Sequence, residues 1–124
     1  MSRKGLAQLT FIALAVGIAL KASAHSFPEQ EIPPAGATLT ESPTQVTIKY
    51  DAPIEKLFAS LKVLNSAGQN EAIGEPQVSG DGWTLSVPVN KLQPGEYTVQ
   101  WRVVCMDTHH TQGSYSFTIE GTHS

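Results

Sequence analysis

Short runs in which apolar and polar residues alternate fill most of the chain from residue 46 onward, and Pro, Gly, Asn and Asp separate them. The alternation predicts strands with one buried face over 46–50, 60–64, 83–87, 97–105 and 115–119. No stretch has the apolar spacing of an amphipathic helix. The pattern therefore predicts an all-β fold, a Greek-key β-sandwich of immunoglobulin-like or cupredoxin-like form with about seven strands.

The strand over 97–105 has the clearest pattern, because its odd-numbered positions are apolar and three of its even-numbered positions, 98, 100 and 102, are polar. We expect it to form a hairpin with the strand over 115–119. Their connection, 106–112, holds most of the candidate chemistry. By contrast, the proline-rich segment that follows His25 is predicted to be extended and irregular up to a strand near 37–39.

The first 24 residues have the layout of a secretory signal. A short basic start precedes a mostly apolar run from Leu6 to Leu20, and Ala22-Ser23-Ala24 has the small-x-small form of a cleavage site. We expect residues 1–24 to be removed as a signal peptide, which leaves residues 25–124 as a single secreted domain without membrane insertion. A retained N-terminal membrane anchor is the alternative.

Charge and cysteine content narrow the functional classes. The whole chain has a formal charge of −3, and loss of the basic residues of the signal takes the processed domain to near −6. An acidic domain argues against nucleic acid as a partner. The single cysteine, Cys105, allows no disulfide within the chain. The sequence also lacks a Gly-x-Ser-x-Gly nucleophile motif and the tight His/Cys spacing of a zinc site.

Cleavage after Ala24 would make His25 the first residue, which would then offer its α-amine and its Nδ1 to one metal ion. Asp107 and His109 are two residues apart, so in an extended segment their side chains leave the backbone on the same side. Together these groups supply three nitrogens and one oxygen, a set that suits the tetragonal geometry of Cu(II). The sequence thus predicts one Cu(II) per chain at His25, Asp107 and His109.

Other interpretations of these residues stay open. Asp107 and His109 could be a turn aspartate beside a surface histidine. His110 could replace His109 as a ligand, although it lies on the opposite side of an extended chain. A thiolate from Cys105 would favour Cu(I), but its position in the strand pattern favours a buried structural role. Met106 is the only methionine after the signal, so clustered thioethers for Cu(I) are missing.

Four segments of the chain are similar to motifs of one known family, the CopC-type copper-resistance proteins. The most specific resembles that family's W-x-V-x-S-x-D-G-H-x-x-x-G-x-F-x-F pattern. The matching segments are Trp101 to Phe117 (W-R-V-V-C-M-D-T-H, then G-S-Y-S-F from Gly113), Pro33 to Leu39 (P-P-A-G-A-T-L), Tyr50 to Glu55 (Y-D-A-P-I-E) and Leu92 to Val99 (L-Q-P-G-E-Y-T-V).

The resemblance implies a periplasmic β-sandwich that binds Cu(II) through His25, Asp107 and His109. Three positions depart from the family pattern. Thr108 replaces a usual glycine, Ala52 replaces a frequent glutamate, which Asp51 could substitute, and Cys105 replaces a common serine. The glycine replacement restricts the backbone of the ligand loop.

The resulting hypothesis is a monomeric, non-catalytic protein of copper homeostasis that sequesters copper or delivers it to an inner-membrane transporter. One alternative is a copper-dependent monooxygenase-like enzyme that holds its ion in a brace formed by the N-terminal histidine. A second alternative is a module used only for protein contacts, in which the donor residues are accidental.

Overall fold

The computed structural model describes residues 26–121. It contains two β-sheets in which most neighbouring strands are antiparallel. Its eight strands are β1 (Pro28–Ile32), β2 (Thr38–Leu39), β3 (Gln45–Tyr50), β4 (Ser60–Leu64), β5 (Gln77–Val78), β6 (Thr84–Pro88), β7 (Gly95–Val104) and β8 (His110–Ile119). Within this part of the chain no helix could cross a membrane.

The two sheets each contain four strands, in the orders β1-β3-β6-β5 and β2-β8-β7-β4. Only β5–β6 and β7–β8 are consecutive strands of the same sheet; every other connection crosses between the sheets. β2 runs parallel to β8, and all other pairs are antiparallel. The predicted all-β sandwich is confirmed.

The core lies between the two sheets and is built from the alternating positions of the central strands. In β7 the odd-numbered residues from Tyr97 to Val103 are buried, while Gln100 and Arg102 are exposed. The ring of Trp101 meets that of Tyr50 from the other sheet edge-on, with centroids 5.5 Å apart. Such a contact stabilises the sandwich beyond the area it buries. The packing follows directly from the period-two pattern of the sequence.

The strands expected over 46–50, 60–64, 83–87, 97–105 and 115–119 all form. Most differ by one or two residues at their ends, but β8 begins five residues earlier than expected, at His110. The turns expected between them also form: Gly68 N donates to Asn65 O at 2.9 Å, and Gly82 N donates to Ser79 O at 2.9 Å.

The expectation of an irregular segment after His25 is wrong, because β1 occupies Pro28–Ile32 and pairs with β3. Proline is tolerated there because Pro28 is the first residue of an edge strand. The burial pattern of β1 does not alternate, which explains why the alternation of apolar and polar residues did not predict this strand.

One end of the sandwich gathers the segments that carry the candidate chemistry. The start of β1 lies beside the end of β3, since Pro28 pairs with Tyr50. The loop after β3 reaches the end of β7 through an Ile54–Cys105 bridge and a hydrogen bond from Glu55 N to Val104 O at 2.8 Å. The β7–β8 connection therefore sits next to the beginning of the described chain.

Candidate metal centre

The loop that joins β7 to β8 is a tight turn of residues 105–109. Cys105 N donates to His109 O, and Thr108 N donates to Cys105 O, both at 2.8 Å. These bonds force Thr108 into the left-handed region, with φ at 75°. The connection is shorter than the expected 106–112, because β8 already begins at His110.

Asp107 and His109 converge in this turn. Asp107 Oδ1 accepts a hydrogen bond from His109 N at 3.1 Å, and Asp107 Oδ2 lies 3.2 Å from His109 Nδ1. The two side chains are 35% and 60% exposed, so solvent and ions can reach both. The prediction that this pair lies on an extended backbone is wrong. A turn in which Asp107 caps the N–H of His109 brings the two side chains together.

Thr108 is strained at its position, because a β-branched residue is unfavourable in the left-handed region by about 1–2 kcal/mol. Thr108→Gly should remove this strain and so stabilise the fold. The larger conformational entropy of glycine in the unfolded chain offsets part of that gain in stability. We expect a net gain of about 0.5–1 kcal/mol, seen as a melting temperature a few degrees higher. Thr108→Ala, which keeps a Cβ, should gain less. A lower melting temperature for Thr108→Gly would contradict the strain argument.

The neighbours of the pair have different roles. His110 is the first residue of β8, pairs with Val104 and is exposed. Cys105 is 1% exposed, and its Sγ accepts a hydrogen bond from Ser26 N at 2.9 Å. Cys105 is therefore buried, as its place among the odd-numbered residues of the 97–105 strand predicted. The thiol is part of the packing beneath the loop.

The predicted ligand His25 lies outside the described residues, but the next residue is placed beside the loop. Ser26 is fully buried between Cys105 and Thr111, which flank the turn on either side. The residue after it, Phe27, pairs with Asp51 at the end of β3. The described chain therefore begins beside Cys105, the first residue of the turn that holds Asp107 and His109.

Two buried tyrosines stand under this end of the core. Burial, with smaller effects of the charges of Glu31, Tyr115 and Cys105, raises the pKa of Tyr50 far above its ordinary value. Burial and the charge of Glu31 raise the pKa of Tyr115 in the same way. Both phenols therefore stay protonated at neutral pH.

Asp51 is the acidic residue that could substitute for the glutamate replaced by Ala52. Its Oδ1 accepts a hydrogen bond from Phe27 N at 2.9 Å. Ala52 beside it has no polar side chain, so the carboxylate at this end of β3 comes from position 51. Among residues 26–121, no group of three or more His, Cys, Asp or Glu could hold a metal ion.

The protein is a small β-sandwich, and its candidate site, the contact of Asp107 with His109, lies in the loop between the last two strands. The CopC domain model matches residues 29–120, and the chain belongs to the CopC family. The crystal structure of CopC from Methylosinus trichosporium OB3b is similar, with a TM-score of 0.75 and 26% identity over 81% of this chain and 98% of that one.

Relatives are similar in sequence along most of the chain. Protein YobA of Escherichia coli K12 is 31% identical over 99 residues, which are 78% of this chain and 80% of YobA. Copper resistance protein C of Escherichia coli is 24% identical over 86% of this chain and 90% of its own. Copper transport protein CutJ of Bacillus subtilis is 29% identical over 77% of this chain, a match that spans only 18% of CutJ.

Proposed function

We propose that the processed chain is a periplasmic, non-catalytic Cu(II)-binding protein of copper homeostasis. The observation that carries the proposal is the burial of Ser26 between Cys105 and Thr111, beside the turn of Asp107 and His109. His25 would be the first residue of the processed chain and directly precedes Ser26, so the place of Ser26 beside the turn supports its α-amine and imidazole as ligands.

The donor set fits the ion. The α-amine and Nδ1 of His25, a nitrogen of His109 and a carboxylate oxygen of Asp107 make the nitrogen-rich set that Cu(II) prefers. Asp107 Oδ2 and His109 Nδ1 lie 3.2 Å apart, which supports the proposal that both side chains bind the same ion. One such set exists per chain, which corresponds to one copper per monomer.

The family relationship supports copper as the cargo. Copper resistance protein C and copper transport protein CutJ both carry the metal in their names, and both are similar to this chain over most of its length. In CutJ the matched part is a small fraction of a longer transport protein. A domain of this kind can sequester copper or deliver it to an inner-membrane transporter, and we propose these as the two physiological roles.

The chemistry of the set also argues against the monooxygenase alternative. Oxygen activation at copper requires an open position on the ion for the co-substrate. Asp107 is placed to fill such a position beside His109. Sustained peroxide production by the copper-loaded protein with a reductant would instead favour the enzyme.

An added N-terminal residue tests the proposal. An alanine placed before His25 in the processed protein converts the amine of His25 into an amide. We expect Cu(II) affinity to fall by about 100-fold or more, because even the loss of a residue that only hydrogen-bonds to a metal ligand costs about 10–100-fold in affinity. Competition titration against a chelator of known affinity measures it. A matched control carries the extra alanine after Ser124. Equal affinities of the two proteins would overturn the assignment of the amine as a ligand.

A further inference from the structure

Ser26 is held by all three of its polar groups. Its N–H donates to Cys105 Sγ at 2.9 Å, its hydroxyl donates to Pro53 O at 3.2 Å, and its carbonyl accepts from Thr111 Oγ1 at 2.9 Å. The residue is fully buried. A displacement of Ser26 would leave several polar groups without partners, which is unfavourable away from water, so the backbone here has one favoured position.

Phe27 is fixed from the opposite sheet. Its N–H donates to Asp51 Oδ1 and its carbonyl accepts from Asp51 N, both at 2.9 Å. Asp51 follows β3 of one sheet, whereas Cys105 and Thr111 belong to the hairpin of the other sheet. The chain at 26–27 is therefore held between the two sheets.

Two of the three contacts on Ser26 come from the residues that flank the predicted ligand loop. Cys105 accepts the N–H of Ser26 through its side chain, and its own N–H donates to His109 O at 2.8 Å. Thr111 lies two residues after His109 on β8. The amide that bonds to Cys105 is planar and includes the carbonyl of His25, so its position limits where His25 can lie.

We propose that Asp51, Cys105 and Thr111 form an N-terminal clamp that positions His25 for copper. The inference rests on the proposed function and deepens it. The three residues act as positioning residues: they fix residues 26–27 and, through the peptide bond before Ser26, reduce the conformational freedom that His25 has to lose when the ion binds. Such preorganisation raises affinity because less conformational freedom is lost on binding. In this role Cys105 accepts a backbone hydrogen bond and does not ligate the metal.

Substitutions at Thr111 test the clamp in two protein backgrounds. Thr111→Val keeps the branched shape at a buried strand position and removes the donor to Ser26 O. In the processed protein we expect Cu(II) affinity to fall about 10–100-fold, the range seen for lost partners of metal ligands. Thr111→Ser, which keeps the hydroxyl, should recover most of that loss. Thr118→Val on the same strand is the matched control and should leave affinity unchanged.

The second background is the protein with an alanine before His25. There the amine is no longer a ligand, so Thr111→Val should cause no further loss of affinity. An equal loss in both backgrounds, or no loss in the processed protein, would overturn the clamp. If the added alanine itself leaves affinity unchanged, the proposed site fails whatever Thr111 does, which separates the two hypotheses.

Asp51 provides an independent arm should Thr111→Val fail to fold. Asp51→Ala removes the acceptor for Phe27 N, whereas Asp51→Asn keeps an oxygen in the same place. We expect the first to lower affinity in the processed protein only, and the second to retain it. Electron paramagnetic resonance of the Cu(II) form should show altered nitrogen coupling for Asp51→Ala. An unaltered spectrum together with unaltered affinity would overturn the clamp.

Discussion

Replacing His109 by alanine is expected to lower the Cu(II) affinity of the processed protein by more than about 100-fold. The loss should exceed the 10–100-fold effect of outer partners because an imidazole that binds the ion itself is removed. His109 lies 3.2 Å from the carboxylate of Asp107 and is 60% exposed, so its removal should leave the core intact. Competition titration and a melting curve on the same sample separate binding from stability.

The neighbouring histidine is the matched control for that experiment. His110 is exposed on β8 and pairs with Val104 rather than with the turn. His110→Ala should therefore leave copper affinity close to that of the unchanged protein. If instead His110→Ala abolishes binding and His109→Ala does not, the ligand assignment between the two residues is reversed.

Replacing Gly113 by alanine is expected to destabilise the fold by about 2 kcal/mol, within the range for overpacked cores. Gly113 lies opposite Trp101 in the β7–β8 ladder, and an added Cβ would stand 2.7 Å from Cζ2 and 3.0 Å from Cε2 of its indole ring. The ring is 6% exposed and packs against Tyr50, so it has little room to move. The melting temperature should fall by roughly 10 °C.

Gly80→Ala is the control for this substitution. An added Cβ at Gly80 would meet nothing within 4 Å, and its backbone needs no left-handed conformation. The control should melt within a few degrees of the unchanged protein. Equal melting temperatures for the two variants would mean that Trp101 adapts to the extra methyl group without loss of packing.

The central strands could be predicted because each buries one face, and burial of one face leaves a period of two in the sequence. β7 shows this best, with Tyr97, Val99, Trp101 and Val103 inside. β1 could not be predicted in this way. Its polar residues lie at the edge of a sheet, where hydrogen bonds to β3 rather than apolar burial hold the strand.

The sequence predicted that Asp107 and His109 converge, but not the backbone geometry that brings them together. The proximity of Asp107 and His109 depends on the left-handed Thr108, a backbone state that a threonine does not signal. The contacts of Ser26 join positions 79 and 85 residues apart in the chain, which no local pattern reveals. The part played by Asp51 follows from the same long-range packing.

The burial of Ser26 also affects when the proposed signal can be cleaved relative to folding. The predicted cleavage lies two residues before it, and a protease needs an accessible, extended stretch of chain around the bond it cuts. In the folded domain that stretch runs into contacts with Cys105 and Thr111. Removal of the signal should therefore be fastest while the β7–β8 hairpin is still unpaired with the N-terminal segment. On the proposed processing and copper site, secretion and cleavage would precede folding, and copper would be captured only at the last step.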